Sequence, residues 1–171
     1  MKITFDKITD KTERYDLTSV AWFPKELGDL VITGPSWVSV VRHTPETLSL
    51  KGECSGRLHG ICARCGIEVD ECLQFAFEHL VTNQKEEVQD VQEIECPEDD
   101  LNTIYLLGPE LDIDEVLREQ AYLESPVRML CGEDCRGICP GCGAQLNSES
   151  CRCSVDYSDS PFAILGKINN K

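Results

Sequence analysis

The stretch CRGICPGCGAQLNSESCRC, Cys135–Cys153, places five cysteines within nineteen residues. Four of them form two close pairs separated by a loop of eight residues: Cys139 with Cys142, and Cys151 with Cys153. A C-x-x-C turn brings its two sulfurs to the same side of the backbone, which suits shared coordination of a metal ion. This spacing therefore indicates how the C-terminal part of the chain folds.

A zinc ion bound by four cysteines has Zn–S bonds of about 2.3 Å, so its sulfurs must lie within about 4 Å of one another. Gly143 follows the second cysteine and suits a positive φ, which lets backbone N–H groups point at the sulfurs. Asn147 and Ser148 favour a turn between the pairs. The spacing predicts a C-terminal zinc ribbon or zinc knuckle with four ligands: Cys139, Cys142, Cys151 and Cys153.

Two other functions of this motif have less support. A thioredoxin-like redox C-x-x-C lies where a strand meets a helix within a βαβ pattern, and no such pattern surrounds Cys139. A catalytic zinc site has three protein ligands and an open position, whereas four thiolates complete the shell. The motif therefore favours a structural zinc ion.

Two further cysteine pairs remain, Cys62 with Cys65 in the motif CARCG, and Cys131 with Cys135. We predict that they share a second zinc ion, which joins the strands to the segment after the helix. The alternative is that these thiols are small buried apolar groups without a metal. Because closing so long a segment restricts the unfolded chain, we expect loss of this site to loosen the helix and ribbon from the sheet. Loss of the ribbon site alone should unfold only the C-terminal part.

The other candidate ligands lack partners at ligand spacing. The chain has eleven cysteines, an odd number, so a complete disulfide framework would leave one thiol over. We expect ordinary thiols at Cys54, Cys72 and Cys96. The three histidines, His43, His59 and His79, are each alone in the sequence.

The chain has 171 residues and a formal charge of −15, which opposes non-specific binding to nucleic acid. Its N-terminal residues do not resemble a secretory signal, and no apolar run approaches the roughly 18 residues that span a bilayer. We therefore expect a cytoplasmic protein with reduced thiols and no membrane segment. Signatures such as H-E-x-x-H and a glycine-rich phosphate loop are missing, so we expect no enzymatic activity and no small-molecule substrate.

The pattern along the chain predicts an α+β fold, an antiparallel β-rich domain with one main helix and the zinc ribbon. Between Leu30 and Val81 we expect three to five antiparallel strands with one buried face. Asp112 is a candidate helix cap with Glu115 three residues later, and Pro126 marks the helix end. The apolar face of this helix comprises Ile113, Val116, Leu117 and Ala121.

We divide the single domain into five segments. Residues 1–82 form its β-rich part, and 83–103 an acidic flexible linker in which 85–100 carry eight acidic residues and one lysine. Residues 104–126 hold the helix packed on the sheet. Residues 127–156 form the cysteine-rich zinc-binding module, and 157–171 the C-terminal tail.

The motifs CARCG, CRGICPGCG with CRC, and a closing SPFAILGKI together resemble those of the YceD family of large ribosomal RNA subunit accumulation proteins. The resemblance extends from about Leu48 to Lys171. It implies a role in the synthesis, processing or stability of 23S ribosomal RNA, and it implies no catalytic residues. Expected partners are ribosomal or rRNA-processing proteins, with pre-ribosomal RNA as a further candidate.

A second hypothesis is a zinc-ribbon adaptor that binds proteins unrelated to ribosomes, since an acidic segment can dock on basic proteins. A third, a thiol redox enzyme, requires cysteine pairs that cycle with a reductant. For direct RNA contact we consider basic residues near the predicted metal sites: Arg57, Arg64, Arg128, Arg136 and Arg152.

Overall fold

The computed structural model describes residues 1–83 and 102–153 of the chain. Within them, eight strands and one α-helix follow one another, with two short 3-10 turns at Phe5–Lys7 and Lys25–Leu27. The elements are β1 (Lys2–Thr4), β2 (Glu13–Asp16), β3 (Asp29–Ile32), β4 (Trp37–Arg42), β5 (Thr47–Ile61), β6 (Glu68–Thr82), β7 (Thr103–Tyr105), β8 (Glu110–Asp112) and α1 (Ile113–Glu124).

The strands form two sheets. The larger sheet has the order β2-β4-β5-β6-β7, and β3 pairs with β5 beside it. In the smaller sheet β1 pairs antiparallel with β8. The predicted β-rich fold with one main helix is thus confirmed, although one pairing departs from the expected antiparallel pattern, because β7 runs parallel to β6.

In the two longest strands, β5 and β6, buried side chains alternate with more exposed ones over most of their length. On β5, Leu50, Cys54 and Leu58 are buried, and on β6 so are Leu73 and Phe75. Since successive side chains point to opposite faces, a period of two places these residues on one face. Residues 62–67 join β5 to β6. This connection is too short for a parallel crossover, so the two strands form an antiparallel hairpin.

The helix α1 begins and ends as the sequence predicts. Asp112 caps it, with the side-chain oxygen accepting a hydrogen bond from the Asp114 N–H at 3.2 Å. The last turn closes where the Ser125 N–H donates to the Ala121 carbonyl, directly before Pro126. All four residues of the predicted apolar face are buried: Ile113, Val116, Leu117 and Ala121.

The chain forms two compact units. The first comprises Met1–Gly60 and the described residues of Asp70–Val127. The second comprises Ile61–Val69, at the end of the β5–β6 hairpin, and the described residues from Arg128 onward. The predicted C-terminal tail, 157–171, lies outside the described residues, as does the predicted acidic linker apart from its ends. No helix in the described part of the chain is both long and apolar enough to cross a membrane.

Substitution of Gly52 tests the packing between β5 and β6, where Gly52 of β5 faces Phe77 of β6. A Cβ atom at this position would lie 2.4 Å from the Phe77 ring, closer than any real contact. We expect Gly52→Ala to lower the free energy of unfolding by about 1–3 kcal/mol through overpacking. Urea denaturation followed by circular dichroism measures the effect.

Gly108→Ala is the matched control, since a Cβ atom there would have no neighbour within 4 Å. Its stability should stay within about 0.5 kcal/mol of the original chain. Equal stability of the two variants would show that Phe77 does not pack on Gly52 as described.

Candidate metal centres

The first group of cysteines, which we call the hairpin cluster, consists of Cys62, Cys65, Cys131 and Cys135. The turn between β5 and β6 supplies Cys62 and Cys65, and the segment after α1 supplies the other two. The sulfurs of Cys62 and Cys135 are 3.8 Å apart, and those of Cys65 and Cys131 are 3.6 Å apart. Three of the four residues are buried, and Cys131 is exposed.

The second group, which we call the tail cluster, consists of Cys139, Cys142, Cys151 and Cys153. The Cys151 sulfur lies 3.3 Å from that of Cys139 and 3.5 Å from that of Cys142. This cluster is more accessible, since only Cys139 is buried.

Each cluster is able to hold a metal ion. Within each, the four sulfurs lie within 4.8 Å of one another. A zinc ion with Zn–S bonds of about 2.3 Å requires sulfurs near 3.8 Å apart, and the observed distances are close to this value. The structure thus brings all eight predicted ligands together in the two predicted groups, although zinc binding itself stays a prediction.

The turn that presents Cys62 and Cys65 is closed by two backbone hydrogen bonds. The Gly66 N–H donates to the Cys62 carbonyl at 2.8 Å, and the Cys62 N–H donates to the Ile67 carbonyl at 2.8 Å. Gly66 has a φ of 73°, in the left-handed region that favours glycine. The glycine after the C-x-x-C motif therefore closes the turn while both sulfurs face the same side.

The tail cluster repeats this turn. The Gly143 N–H donates to the Cys139 carbonyl at 2.8 Å, and the Cys139 N–H donates to the Ala144 carbonyl at 2.9 Å. Gly143 has a φ of 74°. A Cβ atom at Gly141 would lie 3.5 Å from the Cys153 sulfur, an ordinary van der Waals contact, so this part of the turn packs directly against the cluster. The same sequence motif thus builds the same local cradle twice.

The thiols of the hairpin cluster have divergent pKa values. Burial opposes ionisation of Cys62, but backbone hydrogen bonds from Cys131, Arg64 and Cys65 outweigh it and lower its pKa to about 6. Hydrogen bonds of the Cys135 and Cys65 thiols raise the pKa of Cys131 to about 12. The fold thus stabilises negative charge on some sulfurs at the expense of others.

The tail cluster shows the same division. The Cys151 thiol, followed by the backbone N–H groups of Gly141 and Cys142, lowers the pKa of Cys139 to about 6. Hydrogen bonds of the neighbouring thiols, that of Cys151 first, raise the pKa of Cys153 to about 12. Four thiolates this close repel one another, and a divalent cation removes that repulsion when it binds.

Arg64 supports the hairpin cluster from within the C-x-x-C motif. Its guanidinium donates to the Glu133 carbonyl at 2.8 Å and to the Cys135 carbonyl at 2.9 Å. The neighbouring Ala63 N–H donates to the Met129 carbonyl at 2.8 Å. These bonds hold the segment that carries Cys131 and Cys135 beside the turn, a role that spacing alone does not reveal.

Two further supporting residues lie in the loop between the pairs of the tail cluster. The Gln145 side chain donates to the Cys65 carbonyl at 2.9 Å, and the Asn147 side chain donates to the Cys135 sulfur at 3.2 Å. Asn147 was predicted only as a turn former. The sequence around Asn147 gives no signal for this contact, because Cys135 belongs to the hairpin cluster and not to the tail cluster.

The remaining described cysteines and histidines belong to neither cluster. Cys54 is buried, and desolvation raises its pKa. Cys72 is exposed. The His59 ring is hydrogen-bonded to Asp70, and that of His79 to Gln120. Cys96 lies outside the described residues.

Comparison with known proteins gives a family match. The family described as "Large ribosomal RNA subunit accumulation protein YceD" matches residues 50–169, which include both clusters. No solved structure shows significant similarity to the chain.

Curated relatives are similar over shorter stretches. A protein of Arabidopsis thaliana, "Large ribosomal RNA subunit accumulation protein YCED homolog 1, chloroplastic", is 32% identical over 62 residues, 36% of this chain and 19% of the plant protein. Uncharacterized proteins of Mycobacterium bovis and Mycobacterium tuberculosis are 28% identical over 109 residues, 64% of this chain and 50% of theirs. The matches thus span half or less of each relative.

Replacement of Cys62 and Cys65 tests the hairpin cluster. We expect native mass spectrometry to find two zinc ions in the original chain and one in the double variant Cys62→Ser, Cys65→Ser, because two thiolates do not hold zinc tightly. A control double variant, Cys54→Ser with Cys72→Ser, should retain both ions. A single zinc ion in the original chain, unaffected by the double change, would remove the proposed second site.

Arg64→Ala tests the support of this cluster. Loss of two hydrogen bonds to carbonyls should speed zinc loss to a chelator, by about tenfold if the two bonds together contribute roughly 1.4 kcal/mol. Arg136→Ala is the control, since the side chain of this exposed arginine has no described hydrogen bond or ion pair with any residue the structure covers. Equal rates of zinc loss from the two variants would contradict the supporting role.

Proposed function

The chain belongs to the YceD family, and we propose that it is a non-enzymatic factor needed for the synthesis, processing or stability of 23S ribosomal RNA. The observation that carries this proposal is the family match over residues 50–169, which contains both cysteine clusters. The name of the Arabidopsis relative associates that protein with accumulation of large-subunit ribosomal RNA, and we extend this role to the present chain.

We assign a structural role to the clusters. The hairpin cluster would hold one zinc ion through Cys62, Cys65, Cys131 and Cys135, and the tail cluster a second through Cys139, Cys142, Cys151 and Cys153. Bound zinc would supply cross-links between chain segments. Four thiolates complete a tetrahedral shell and leave no position for a water molecule or substrate. This donor set supports a role in shaping a surface rather than in catalysis.

Charge favours a protein partner with a basic surface. The chain carries a formal charge of −15, and residues 85–100 contain eight acidic residues against one lysine. Complementary charge speeds encounter and selects partners. Ribosomal and rRNA-processing proteins that carry basic surfaces are therefore the partner class we propose, in the cytoplasm.

Direct contact with pre-ribosomal RNA would require arginine side chains that are free of hydrogen bonds within the protein, and the five candidate arginines differ in this respect. The guanidinium of Arg64 is engaged with two carbonyls of its own unit. Four other candidates have exposed side chains: Arg57, Arg128, Arg136 and Arg152. If RNA is a ligand, these four are the positions that would contact its phosphates.

The alternative function is a zinc-ribbon adaptor for proteins unrelated to ribosomes. The same acidic composition favours it, since charge complementarity does not depend on the identity of the basic partner. Affinity purification from cells separates the two: ribosomal or rRNA-processing proteins support the first function, and their absence supports the second.

The thiol redox hypothesis makes a different prediction. The four sulfurs of each cluster face one another as a group of four, whereas a redox motif acts through a single pair of thiols. A zinc-loaded protein with which dithiothreitol reduces insulin no faster than dithiothreitol alone would exclude this activity, and a faster reduction would support it.

Depletion of the protein tests the proposed function. We expect large-subunit ribosomal RNA and large-subunit particles to fall relative to their small-subunit counterparts, measured by RNA electrophoresis and sucrose gradients. Complementation by the original chain should restore both, and complementation by the double variant Cys139→Ser, Cys142→Ser should restore less, because the tail cluster cannot form. Unchanged large-subunit RNA and particles on depletion would refute the function.

A further inference from the structure

We propose that the two clusters bind their metals cooperatively, with Asn147 as the residue that couples them. In this account the loop 143–150, fixed at its ends by the tail cluster, completes the surroundings of the hairpin cluster. The inference rests on the zinc binding proposed above. It also changes one expectation from the sequence, namely that the tail cluster folds without effect on the other site.

Asn147 makes three hydrogen bonds with the segment that carries Cys131 and Cys135, the longest of them from its side-chain nitrogen to the Cys131 sulfur at 3.9 Å. Its side-chain oxygen accepts a hydrogen bond from the Arg136 N–H at 2.8 Å. Its side-chain nitrogen donates to the Cys135 sulfur at 3.2 Å. Because the backbone N–H requires an acceptor, the oxygen must face Arg136, which directs the NH₂ group at the sulfur. Asn147 thus places a hydrogen-bond donor against the Cys135 sulfur, a contact that orients this candidate ligand.

A second contact from the same loop reaches the other half of the hairpin cluster. The Gln145 side chain donates to the carbonyl of Cys65 at 2.9 Å. The backbone of this loop also pairs with the segment after Cys135: Ile138 and Gln145 form an antiparallel bridge, and the Leu146 N–H donates to the Gly137 carbonyl at 3.0 Å. The loop therefore contacts both chain segments that carry the hairpin ligands.

The position of this loop depends on the tail cluster. It is flanked by Cys142 and Cys151, whose sulfurs are 3.5 Å apart. Inside it, the Glu149 carboxylate accepts from the Gln145 N–H at 2.8 Å, and the Glu149 N–H donates to the Gln145 carbonyl at 2.7 Å. These bonds shape the loop, and metal binding at the tail cluster would fix its two ends together.

Sequence separation sets the order of binding. Cys142 and Cys151 are nine residues apart, whereas Cys65 and Cys131 are 66 residues apart. The shorter loop loses less entropy on closure, so the tail cluster binds first. The ordered loop then presents Asn147 and Gln145 to the hairpin cluster, whose affinity rises. Such coupling is reciprocal, so metal at the hairpin cluster also strengthens binding at the tail cluster.

The test uses the full chain and three variants of this loop. Asn147→Asp retains an oxygen for the Arg136 N–H but removes the donor to the sulfur and adds negative charge beside it. Asn147→Ala removes all three hydrogen bonds of the side chain. Ser148→Ala is the control, since Ser148 is the exposed neighbour and its only hydrogen bond described here comes from its backbone N–H.

Metal-free protein is titrated with zinc against a competing chelator, and native mass spectrometry counts the bound ions. Alkylation of the cysteines, localised by peptide mass spectrometry, then reports each cluster separately. We expect Asn147→Asp and Asn147→Ala to weaken zinc binding at the hairpin cluster about tenfold or more, with Cys131 and Cys135 alkylated first. Ser148→Ala should leave both clusters unchanged. Circular dichroism checks that all variants remain folded.

A second arm removes the tail cluster with Cys151→Ser and Cys153→Ser, and the proposal expects weaker zinc binding at the hairpin cluster in this variant also. Two zinc ions with unchanged hairpin affinity in the Asn147 variants and in the tail variant would overturn the coupling and leave the zinc proposal intact. Failure of the original chain to bind zinc at either cluster would overturn both.

Discussion

The second unit depends on the hairpin cluster, in which four sulfurs from two distant parts of the sequence come together. Among the residues that the structure describes, its buried cluster consists of Cys62, Cys65 and Cys135, with Val69 and Leu130 partly buried against them. A cluster of this size compensates little of the entropy of ordering the chain segments that form it. Closing the 66-residue interval between Cys65 and Cys131 costs about 2 kcal/mol more than closing the nine residues within the tail cluster. We infer that a metal–thiolate shell at the hairpin cluster would offset these costs, since metal binding contributes directly to the free energy of folding.

The first unit is stabilised differently. Its long strands β5 and β6 bury one continuous face of aliphatic and aromatic side chains, with the rings of Phe75 and Phe77 stacked 6.4 Å apart. The hairpin formed by these strands continues into the turn that carries Cys62 and Cys65. A conventional β-sheet core and two cysteine clusters that are able to hold a metal ion are thus combined in one chain.

The two groups of cysteines could be predicted because close cysteine pairs follow local rules, whereas their role as metal ligands stays a prediction. A C-x-x-C-G motif builds its turn from its own backbone, so its geometry is readable at Cys62 and at Cys139 alike. The helix was equally readable, since Asp112 and the spacing of its apolar residues act within a few positions. What escaped prediction depends on distant parts of the chain. The pairing of β1 with β8, the parallel β7, and the contacts of Arg64 and Asn147 all join residues whose proximity no local pattern encodes.

X-ray absorption at the zinc edge of the zinc-loaded protein measures whether each cluster holds one zinc ion through four thiolates. We expect a single shell of four sulfur neighbours at about 2.3 Å, with no nitrogen or oxygen ligand, averaged over both sites. A shell that includes nitrogen or oxygen at about 2.0–2.1 Å would contradict it, because at least one cluster would then lack its full set of cysteines.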